Sequence, residues 1–298
     1  MTKTAWVFPG QGSQAVGMGV DLLTHPTAAA KYQTAQSILG WSVPDICQNH
    51  EDKLSRTLYT QPCLYVVECI LADLMQERGH QPHLVAGHSL GEYVALYAAG
   101  VFDFATGLAL VKRRAELMED AAGGQMAALI GFDREQLATQ LAQTPNVVLA
   151  NDNSDAQVVI SGTPEAVETV IANIKVKRAV KLNVSGPFHS PLMAPAATEF
   201  QKALESVPFT DAIVPVISNV EPTPATAAEV LKERLVQQMT GSVRWREISA
   251  QLPQEGIEKV VEIGPGKVLT GLIKRTSPQL ALENVSGAAD LPVSGQLN

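Results

Sequence analysis

The chain has 298 residues, of which 46% are apolar and 17% are charged, and its formal net charge at pH 7 is −8. This size fits one large globular domain, or a domain that carries a smaller one, and the negative charge argues against nonspecific binding to nucleic acid. No run approaches the ~20 apolar residues of a membrane-spanning helix and no signal segment precedes the first apolar run, so we expect no nucleic acid and no membrane as partners.

Apolar strands alternate with longer amphipathic helices along the chain, which predicts an α/β fold. Short buried strands are predicted at four places: Ala5–Phe8, His83–Ala86, Ile213–Ile217 and Lys259–Ile263. Helical stretches continue to about Arg78, and four further helices are predicted from Leu90, over Asp103–Met118, from about Thr226 and from Val268.

The segment from Gln125 differs from the rest of the chain. Its predicted elements are strand, helix, strand, strand, helix and strand, over Met126–Gly131, Asp133–Ala142, Val147–Ala150, Gln157–Ser161, Pro164–Ile174 and Arg178–Val184. This βαββαβ order is that of the ferredoxin-like unit. We therefore predict a ferredoxin-like subdomain at 125–190, inserted in an α/β domain formed by 1–124 and 191–285. The tail at 286–298, rich in Gly, Ala, Pro and Ser, is predicted to be disordered.

The most specific local signal is Gly87-His88-Ser89-Leu90-Gly91, which lies between a predicted strand and a predicted helix. A G-x-S-x-G pattern in this context is typical of a nucleophile elbow, in which a tight turn leaves no room for side chains at the glycines. Ser89 would lie at a helix N-terminus, where free N–H groups and the helix dipole favour an anionic intermediate. The short pattern alone often marks only a turn; its context favours Ser89 as a nucleophile.

A nucleophilic serine needs a general base, and the chain has six histidines. Four of them lie in polar or helix-end contexts that are typical of surface histidines: His25, His50, His80 and His83. His88 adjoins Ser89, but neighbouring side chains diverge on such a turn, so a structural role is predicted. His189 follows a strand in Ser185-Gly186-Pro187-Phe188-His189-Ser190-Pro191, where two prolines restrict the backbone. It is the candidate base, although spacing alone leaves a structural role open.

Arg114 lies on the apolar face of its predicted helix. Apolar residues recur at spacings of three and four, at Phe104, Leu108, Val111, Ala115 and Met118. At about 100° per residue, Arg114 falls within this arc. A buried guanidinium is costly unless it meets an anion. The anion could be an internal Asp or Glu, which would make Arg114 structural, or a substrate carboxylate gripped by arginine's planar fork.

Two other glycine-rich turns lack the context of nucleotide-binding loops. Pro9-Gly10-Gln11-Gly12-Ser13-Gln14-Ala15 contains G-x-G-x-x-A after a strand, but no second strand ending in an acidic residue follows about twenty residues later. Gly264-Pro265-Gly266-Lys267 lacks the spacing of a P-loop. We reject both nucleotide interpretations. The first turn is interpreted instead as presenting backbone N–H groups and Gln11 to a reaction centre.

Three cysteines, Cys47, Cys63 and Cys69, fit neither a metal-ligand spacing nor a disulfide framework. We expect them to be small core residues of a protein in a reducing compartment, the cytoplasm or a plastid-like stroma.

Five motifs stand together in order: Phe8-Pro9-Gly10-Gln11-Gly12-Ser13-Gln14, Gly87-His88-Ser89-Leu90-Gly91-Glu92, Arg114, Phe188-His189-Ser190 and Val243-Arg244-Trp245. With them the chain closely resembles malonyl-CoA:acyl carrier protein transacylases of fatty acid synthesis, from about residue 4 to about residue 276. The resemblance implies an α/β-hydrolase-like domain with an inserted ferredoxin-like subdomain, in agreement with the predicted element order. The short tail is typical of the stand-alone members.

The resemblance also implies a role for each matching residue. Ser89 would be the nucleophile, His189 its base and Arg114 the clamp for the malonyl carboxylate. Backbone N–H groups of Gln11 and Leu90 would form the oxyanion hole. Two further residues match: Gln238, whose backbone carbonyl would orient the histidine, and Phe188, which resembles members that use malonyl rather than α-methylated substrates. Thr240-Gly241-Ser242 departs from the family's more usual residues at that place.

The activity implied is ping-pong transfer of malonyl from malonyl-CoA to the pantetheine thiol of acyl carrier protein, with no metal or redox cofactor. A serine hydrolase is a rival interpretation, and would need an acidic residue to orient the base. A catalytically silent carrier-docking protein is another, against which the intact Ser89 and His189 argue. A basic cluster is either a solvated surface or a docking site for an acidic carrier: Lys175, Lys177, Arg178 and Lys181.

Overall fold

The computed structural model describes residues 2–184 and 186–292, and its larger sheet has five parallel strands. These strands are β1 (Thr4–Phe8), β2 (Leu84–Gly87), β7 (Val216–Ile217), β8 (Lys259–Ile263) and β9 (Ala281–Val285). They lie in the order β7-β2-β1-β8-β9.

The central strand β1 is buried on both faces. Ala5 and Val7 pack into one apolar cluster and Trp6 and Phe8 into another, and all four are at most 1% exposed. Successive side chains of a strand point to opposite faces, and parallel sheets carry helices on both of them. A continuous apolar run such as Ala5–Phe8 therefore marks the middle of a three-layer structure.

Helices cover both sheets. Their bounds are α1 Pro26–Leu39, α2 Val43–Asn49, α3 Glu51–Leu54, α4 Thr57–Glu77, α5 Gly91–Ala98, α6 Phe104–Glu119, α7 Arg134–Gln143, α8 Pro164–Asn173, α9 Ala194–Glu205, α10 Ala228–Gln238, α11 Trp245–Gln251 and α12 Val268–Thr276. Asp103, Asp133 and Thr163 cap α6, α7 and α8 through their side chains, which explains why these helices begin within one residue of the predicted positions.

The smaller sheet has four antiparallel strands in the order β4-β5-β3-β6. They are β3 (Gln125–Phe132), β4 (Val147–Ser154), β5 (Gln157–Gly162) and β6 (Val176–Lys181). With α7 and α8 they reproduce the predicted βαββαβ order. The predicted fold class, an α/β-hydrolase-like parallel sheet with a ferredoxin-like unit, is confirmed.

The segment around Val243, between α10 and α11, pairs with β4 through backbone hydrogen bonds. Val243 N donates to Ala150 O at 2.8 Å, and Asp152 N donates to Val243 O at 2.9 Å. Asp152 also accepts from Arg246 Nε at 3.0 Å. The segment around Val243 therefore extends the edge of the smaller sheet.

One predicted strand is mostly absent. Of Ile213–Ile217, only Val216 and Ile217 are in a strand, and Ile213 is 73% exposed. Pro215 has no N–H and cannot donate to a ladder, so strand pairing begins after it.

The chain after residue 280 is more ordered than predicted. β9 was not predicted, because it is a half-exposed edge strand with weak apolar alternation. The predicted disorder from Ser286 is wrong for residues 286–292, which include a short 3-10 turn at Ala288–Asp290. Ala288 N donates to Asp21 Oδ2 at 2.6 Å, and Arg78 Nη1 donates to Pro292 O at 2.9 Å. These long-range contacts leave no local signal, and the rest of the predicted tail lies outside the described residues.

The prediction that the cysteines are core residues is confirmed, since Cys47, Cys63 and Cys69 are buried free thiols. Across 2–184 and 186–292, none of the helices has both the length and the apolar character to cross a bilayer.

Candidate active site

Ser89 lies on a sharp turn between β2 and α5, as the elbow pattern predicts. Its φ of 52° is in the left-handed region, which non-glycine residues seldom adopt outside strained turns. A Cβ atom on Gly87 would lie 1.9 Å from the backbone carbon of Gly91, and one on Gly91 would lie 2.0 Å from Phe8 O. Only glycine fits at either position, so the turn can expose Ser89 Oγ at the end of the strand.

Two amide side chains hold the backbone of the nucleophile. Asn219 Oδ1 accepts from Ser89 N at 2.7 Å, and Asn219 Nδ2 donates to Gly87 O at 2.6 Å. Gln238 Nε2 donates to Ser89 O at 2.8 Å. Both peptide groups of Ser89 are thus satisfied away from the reaction centre, which leaves the strained turn fixed by its neighbours.

His189 is hydrogen-bonded to the nucleophile, with 2.8 Å between its Nε2 and Ser89 Oγ. Its Nδ1 lies 3.0 Å from Gln238 O and 3.1 Å from Gly241 O. Carbonyl oxygens can only accept, so Nδ1 carries the proton of the neutral imidazole and Nε2 is left to accept from the serine hydroxyl. The φ of His189, 57°, is also left-handed.

The environment of His189 keeps its imidazole neutral. The ring is 4% exposed, and burial together with the charge of Arg114 lowers its pKa to about 3. A base must be unprotonated to act. Because this pKa lies well below physiological pH, the imidazole is neutral there. Binding an anion at Arg114 would remove part of the opposing charge and make His189 more basic.

His88 has partners of its own. Its Nε2 lies 2.9 Å from Asn153 Oδ1, and its ring centroid lies 5.5 Å from that of Trp245. His189, and not His88, makes the hydrogen bond with Ser89 Oγ. This geometry agrees with the structural role predicted for His88.

Arg114 is fully buried, at 0% exposed, and its guanidinium reaches the nucleophile. Nη2 donates to Ser89 Oγ at 3.0 Å and to Gln238 Oε1 at 3.1 Å, while Nη1 donates to Gln61 Oε1 at 2.8 Å. Burial lowers the pKa of Arg114, but a guanidinium stays charged in proteins. None of the carboxylates that the structure describes forms an ion pair with it. The internal salt bridge left open by the sequence is therefore not found.

A cavity of about 70 Å³ opens at Ser89 and His189. The larger unit lines it with residues that include Gln11 and Gln61, and the smaller sheet and the segment after it contribute Met126, Asn151, Leu182, Val184 and Phe188. Phe188 is 5% exposed, so its ring forms part of a closed wall. The cavity is small and is lined by residues of both units, which suits a short acyl group.

Gln11 lines this cavity, and Leu90 directly follows Ser89 in the elbow. A Cβ on Gly10 would lie 2.4 Å from His88 O, so the turn before Gln11 packs directly against the elbow. The side chain of Gln11 is tied to Thr57, with Nε2 donating to Oγ1 at 3.0 Å. Neither N–H donates to any group within the described parts of the chain. Two unused donors beside a nucleophile are what an oxyanion hole requires.

The structure places six of the candidate site residues together, with Leu90 next to Ser89 in the chain: Gln11, Ser89, Arg114, Phe188, His189 and Gln238. Sequence reasoning missed Gln61, Asn219 and Glu92 as parts of it. Gln61 was detectable as a polar residue in the apolar helix α4. Glu92 stands within the elbow motif but was given no role. Asn219 carries no local signal.

Comparison with known proteins agrees with this geometry. Residues 5–296 match the family model of the acyl transferase domain. The malonyl CoA-acyl carrier protein transacylase of Synechocystis is 61% identical over 289 residues, which cover 97% of this chain and 99% of that protein.

Solved structures show the same likeness. The crystal structure of the Synechocystis transacylase superposes with a TM-score of 0.96 at 60% identity, covering 97% of this chain and 99% of that one. A malonyl transacylase in complex with a type II polyketide synthase acyl carrier protein superposes with a TM-score of 0.92 at 38% identity, covering 97% and 98%. The chain belongs to the acyl transferase family, among the malonyl CoA-acyl carrier protein transacylases.

Proposed function

We propose that this protein transfers malonyl from malonyl-CoA to the phosphopantetheine thiol of acyl carrier protein through a malonyl-Ser89 ester. The observation that carries the proposal is Arg114. Its buried guanidinium has no carboxylate within ion-pair distance among the described residues and donates to the oxygen of the nucleophile. A cation placed beside a reacting oxygen in an enclosed site selects an acyl group that carries its own anion.

In the first half-reaction, His189 Nε2 takes the hydroxyl proton as Ser89 Oγ bonds to the thioester carbonyl carbon. The oxyanion accepts from the N–H groups of Gln11 and Leu90, each contributing about 3 kcal/mol to transition-state stabilisation. The carbon–sulfur bond then breaks, and coenzyme A leaves as a thiol with the proton from His189. In the second half-reaction His189 takes the proton of the pantetheine thiol as its sulfur bonds to the ester carbonyl carbon. The bond between that carbon and Ser89 Oγ breaks, and His189 returns the proton to Ser89 Oγ.

The imidazolium formed in each step is oriented by carbonyl oxygens. Gln238 O and Gly241 O both face Nδ1–H of His189. The rival hydrolase interpretation needs an acidic residue there, and the main chain occupies both contacts instead. The second carbonyl comes from the segment in which this chain departs from the more usual family residues.

The proposal has four further parts, which concern cofactors, domain boundaries, location and carrier docking. Nucleophile, base and clamp are all supplied by the chain, so the reaction as written uses no cofactor. We place the boundaries of the α/β domain at 1–124 and 191–285, around a subdomain at 125–190. The cytoplasm or a plastid-like stroma is the proposed location, which suits three free thiols. The basic cluster is exposed, and carrier docking there stays a prediction.

The proposal is tested by following the malonyl group. The protein incubated with malonyl-CoA alone should gain about 86 Da, the malonyl adduct expected of a covalent acyl-enzyme. Adding carrier with its pantetheine arm should remove the adduct and transfer the same mass to the carrier, whereas carrier without the arm should leave the adduct in place. Absence of an adduct, or its loss to water at the same rate without carrier, would contradict the proposed function.

We expect His189→Ala to slow acylation by about 10²–10⁴-fold, the usual contribution of a positioned base. His88→Ala is the matched control, because His88 is the neighbour of Ser89 but bonds to Asn153. It should lose activity only through local packing. Stopped-flow acylation rates of the two variants decide between them, and a larger loss in His88→Ala would mean that the wrong histidine was assigned.

A further inference from the structure

Glu92 is a buried carboxyl that the mechanism above does not use. It lies in the first turn of α5, three residues after the nucleophile, and is 1% exposed. Its Oε2 accepts from Gln238 Nε2 at 2.8 Å and from Asn219 N at 3.2 Å. It therefore contacts the two residues that hold the backbone of Ser89.

Through these two residues Glu92 reaches every reacting group. Asn219 fixes Ser89 N, and Gln238 Nε2 fixes Ser89 O. The carbonyl of Gln238 faces His189 Nδ1, and its Oε1 accepts from Arg114 Nη2. Glu92 thus fixes which way the Gln238 amide points, since Nε2 must face the carboxylate and Oε1 must face the guanidinium.

We propose that Glu92 is a positioning residue with a second role: it balances the charge of Arg114 in the empty enzyme and takes up a proton when the malonyl carboxylate arrives. The inference rests on the proposed function. It adds to that function an anion, the Glu92 carboxylate, that stabilises the buried Arg114 guanidinium between turnovers.

The charges around Glu92 support this exchange. Burial raises the pKa of Glu92 to about 7, against the hydrogen bonds from Gln238 and Asn219 and the charge of Arg114. Arg114 is the charged group that faces it from α6, and the phenol of Tyr93 is its titratable neighbour on α5. A second carboxylate on Arg114 weakens the attraction for the first and raises the pKa of Glu92 further. The ionised fraction present near neutral pH must then bind a proton.

The acylation chemistry itself consumes no proton. A serine hydroxyl and a thioester become an ester and a thiol, and a free thiol stays protonated below its pKa of about 8.5. Proton uptake near pH 7 therefore reports on a group of the protein rather than on the reaction. Acetyl-CoA brings no carboxylate, so acetylation of Ser89 should leave Glu92 unchanged.

The test is a single turnover in weak buffer with a pH indicator, mixing enzyme and malonyl-CoA without carrier. The wild-type protein should take up a fraction of a proton per adduct. This fraction should approach one at a pH at which Glu92 is ionised in the empty enzyme and protonated in the malonylated enzyme. Glu92→Gln keeps an acceptor oxygen but cannot titrate, so its uptake should vanish. Glu68→Gln is the matched control, because Glu68 is also a fully buried glutamate but lies outside the site; its uptake should equal that of wild type.

Activity measurements test the positioning role of Glu92 separately from its proton uptake. Glu92→Ala leaves the donors of Gln238 and Asn219 unpaired, and kcat for malonyl transfer should fall roughly tenfold to a hundredfold. Glu92→Gln should restore most of that loss while still showing no uptake. If wild type forms the adduct without proton uptake, or if Glu92→Gln takes up the proton equally, this inference is wrong and the proposed function stands. If wild type forms no adduct, the proposed function fails first.

Discussion

Ser89→Ala should form no malonyl adduct and should transfer malonyl about 10⁶-fold more slowly than wild type, the loss seen when a serine nucleophile is removed. The hydroxyl is the atom that becomes acylated, and both of its neighbours, His189 Nε2 and Arg114 Nη2, are arranged around it. The measurement is peptide mapping by mass spectrometry after exposure to malonyl-CoA, which should place the adduct of the wild-type protein on the peptide that contains Ser89.

A matched control is Ser249→Ala, because Ser249 is also buried but donates to Trp245 O within α11. It should retain the adduct in full. An adduct at another residue, or undiminished transfer by Ser89→Ala, would show that Ser89 is not the nucleophile.

Arg114→Ala should reverse the preference for malonyl over acetyl. The malonyl carboxylate loses a two-pronged partner, at about 1.5–3 kcal/mol for each charge-assisted hydrogen bond. Two such bonds correspond to roughly 10²–10⁴-fold in kcat/KM for malonyl-CoA. Acetyl transfer should be spared or increased, because the change removes a buried charge that acetyl cannot pair. The ratio of kcat/KM for malonyl-CoA over acetyl-CoA should therefore change more than either value alone. Arg114→Lys should lie between, because an ammonium keeps the charge without the fork.

The measured quantity is the ratio of kcat/KM for malonyl-CoA over acetyl-CoA, read beside the melting temperature of each variant. A structural arginine would depress both substrates alike as stability fell. An unchanged ratio together with a lowered melting temperature would therefore remove Arg114 from the list of substrate-binding residues.

The parts of the site that follow from local geometry could be predicted from the sequence. The turn at Ser89 needs glycine at two positions because a Cβ atom added at either would lie about 2 Å from other backbone atoms, and the G-x-S-x-G pattern carries both glycines. The inward direction of Arg114 follows from the 3.6-residue period of α6, and the residue is indeed fully buried.

The supporting contacts could not be predicted in this way. Asn219 is 130 residues from Ser89, and the side chain of Gln238 is 146 residues from Glu92. Such pairs depend on where two distant segments meet, which no local period encodes. The resemblance supplied the backbone carbonyl of Gln238 but not its side chain, which contacts Ser89 and Arg114 as well. The order at residues 286–292 was missed for the same reason, since its partners Asp21 and Arg78 lie far upstream.

The bridge between β4 and Val243 limits how the inserted unit can be exchanged between related enzymes. The bridged segment begins two residues after Gly241, whose carbonyl faces the base, and Ser242 Oγ donates to Ala150 O at 3.2 Å. A chimera that replaced residues 125–190 alone would exchange β4 and His189 but keep the segment that pairs with both, so a different edge geometry in β4 would shift the carbonyls that face the base. Grafting should succeed better when residues 238–246 travel with the insertion, which makes the transplantable unit a discontinuous one.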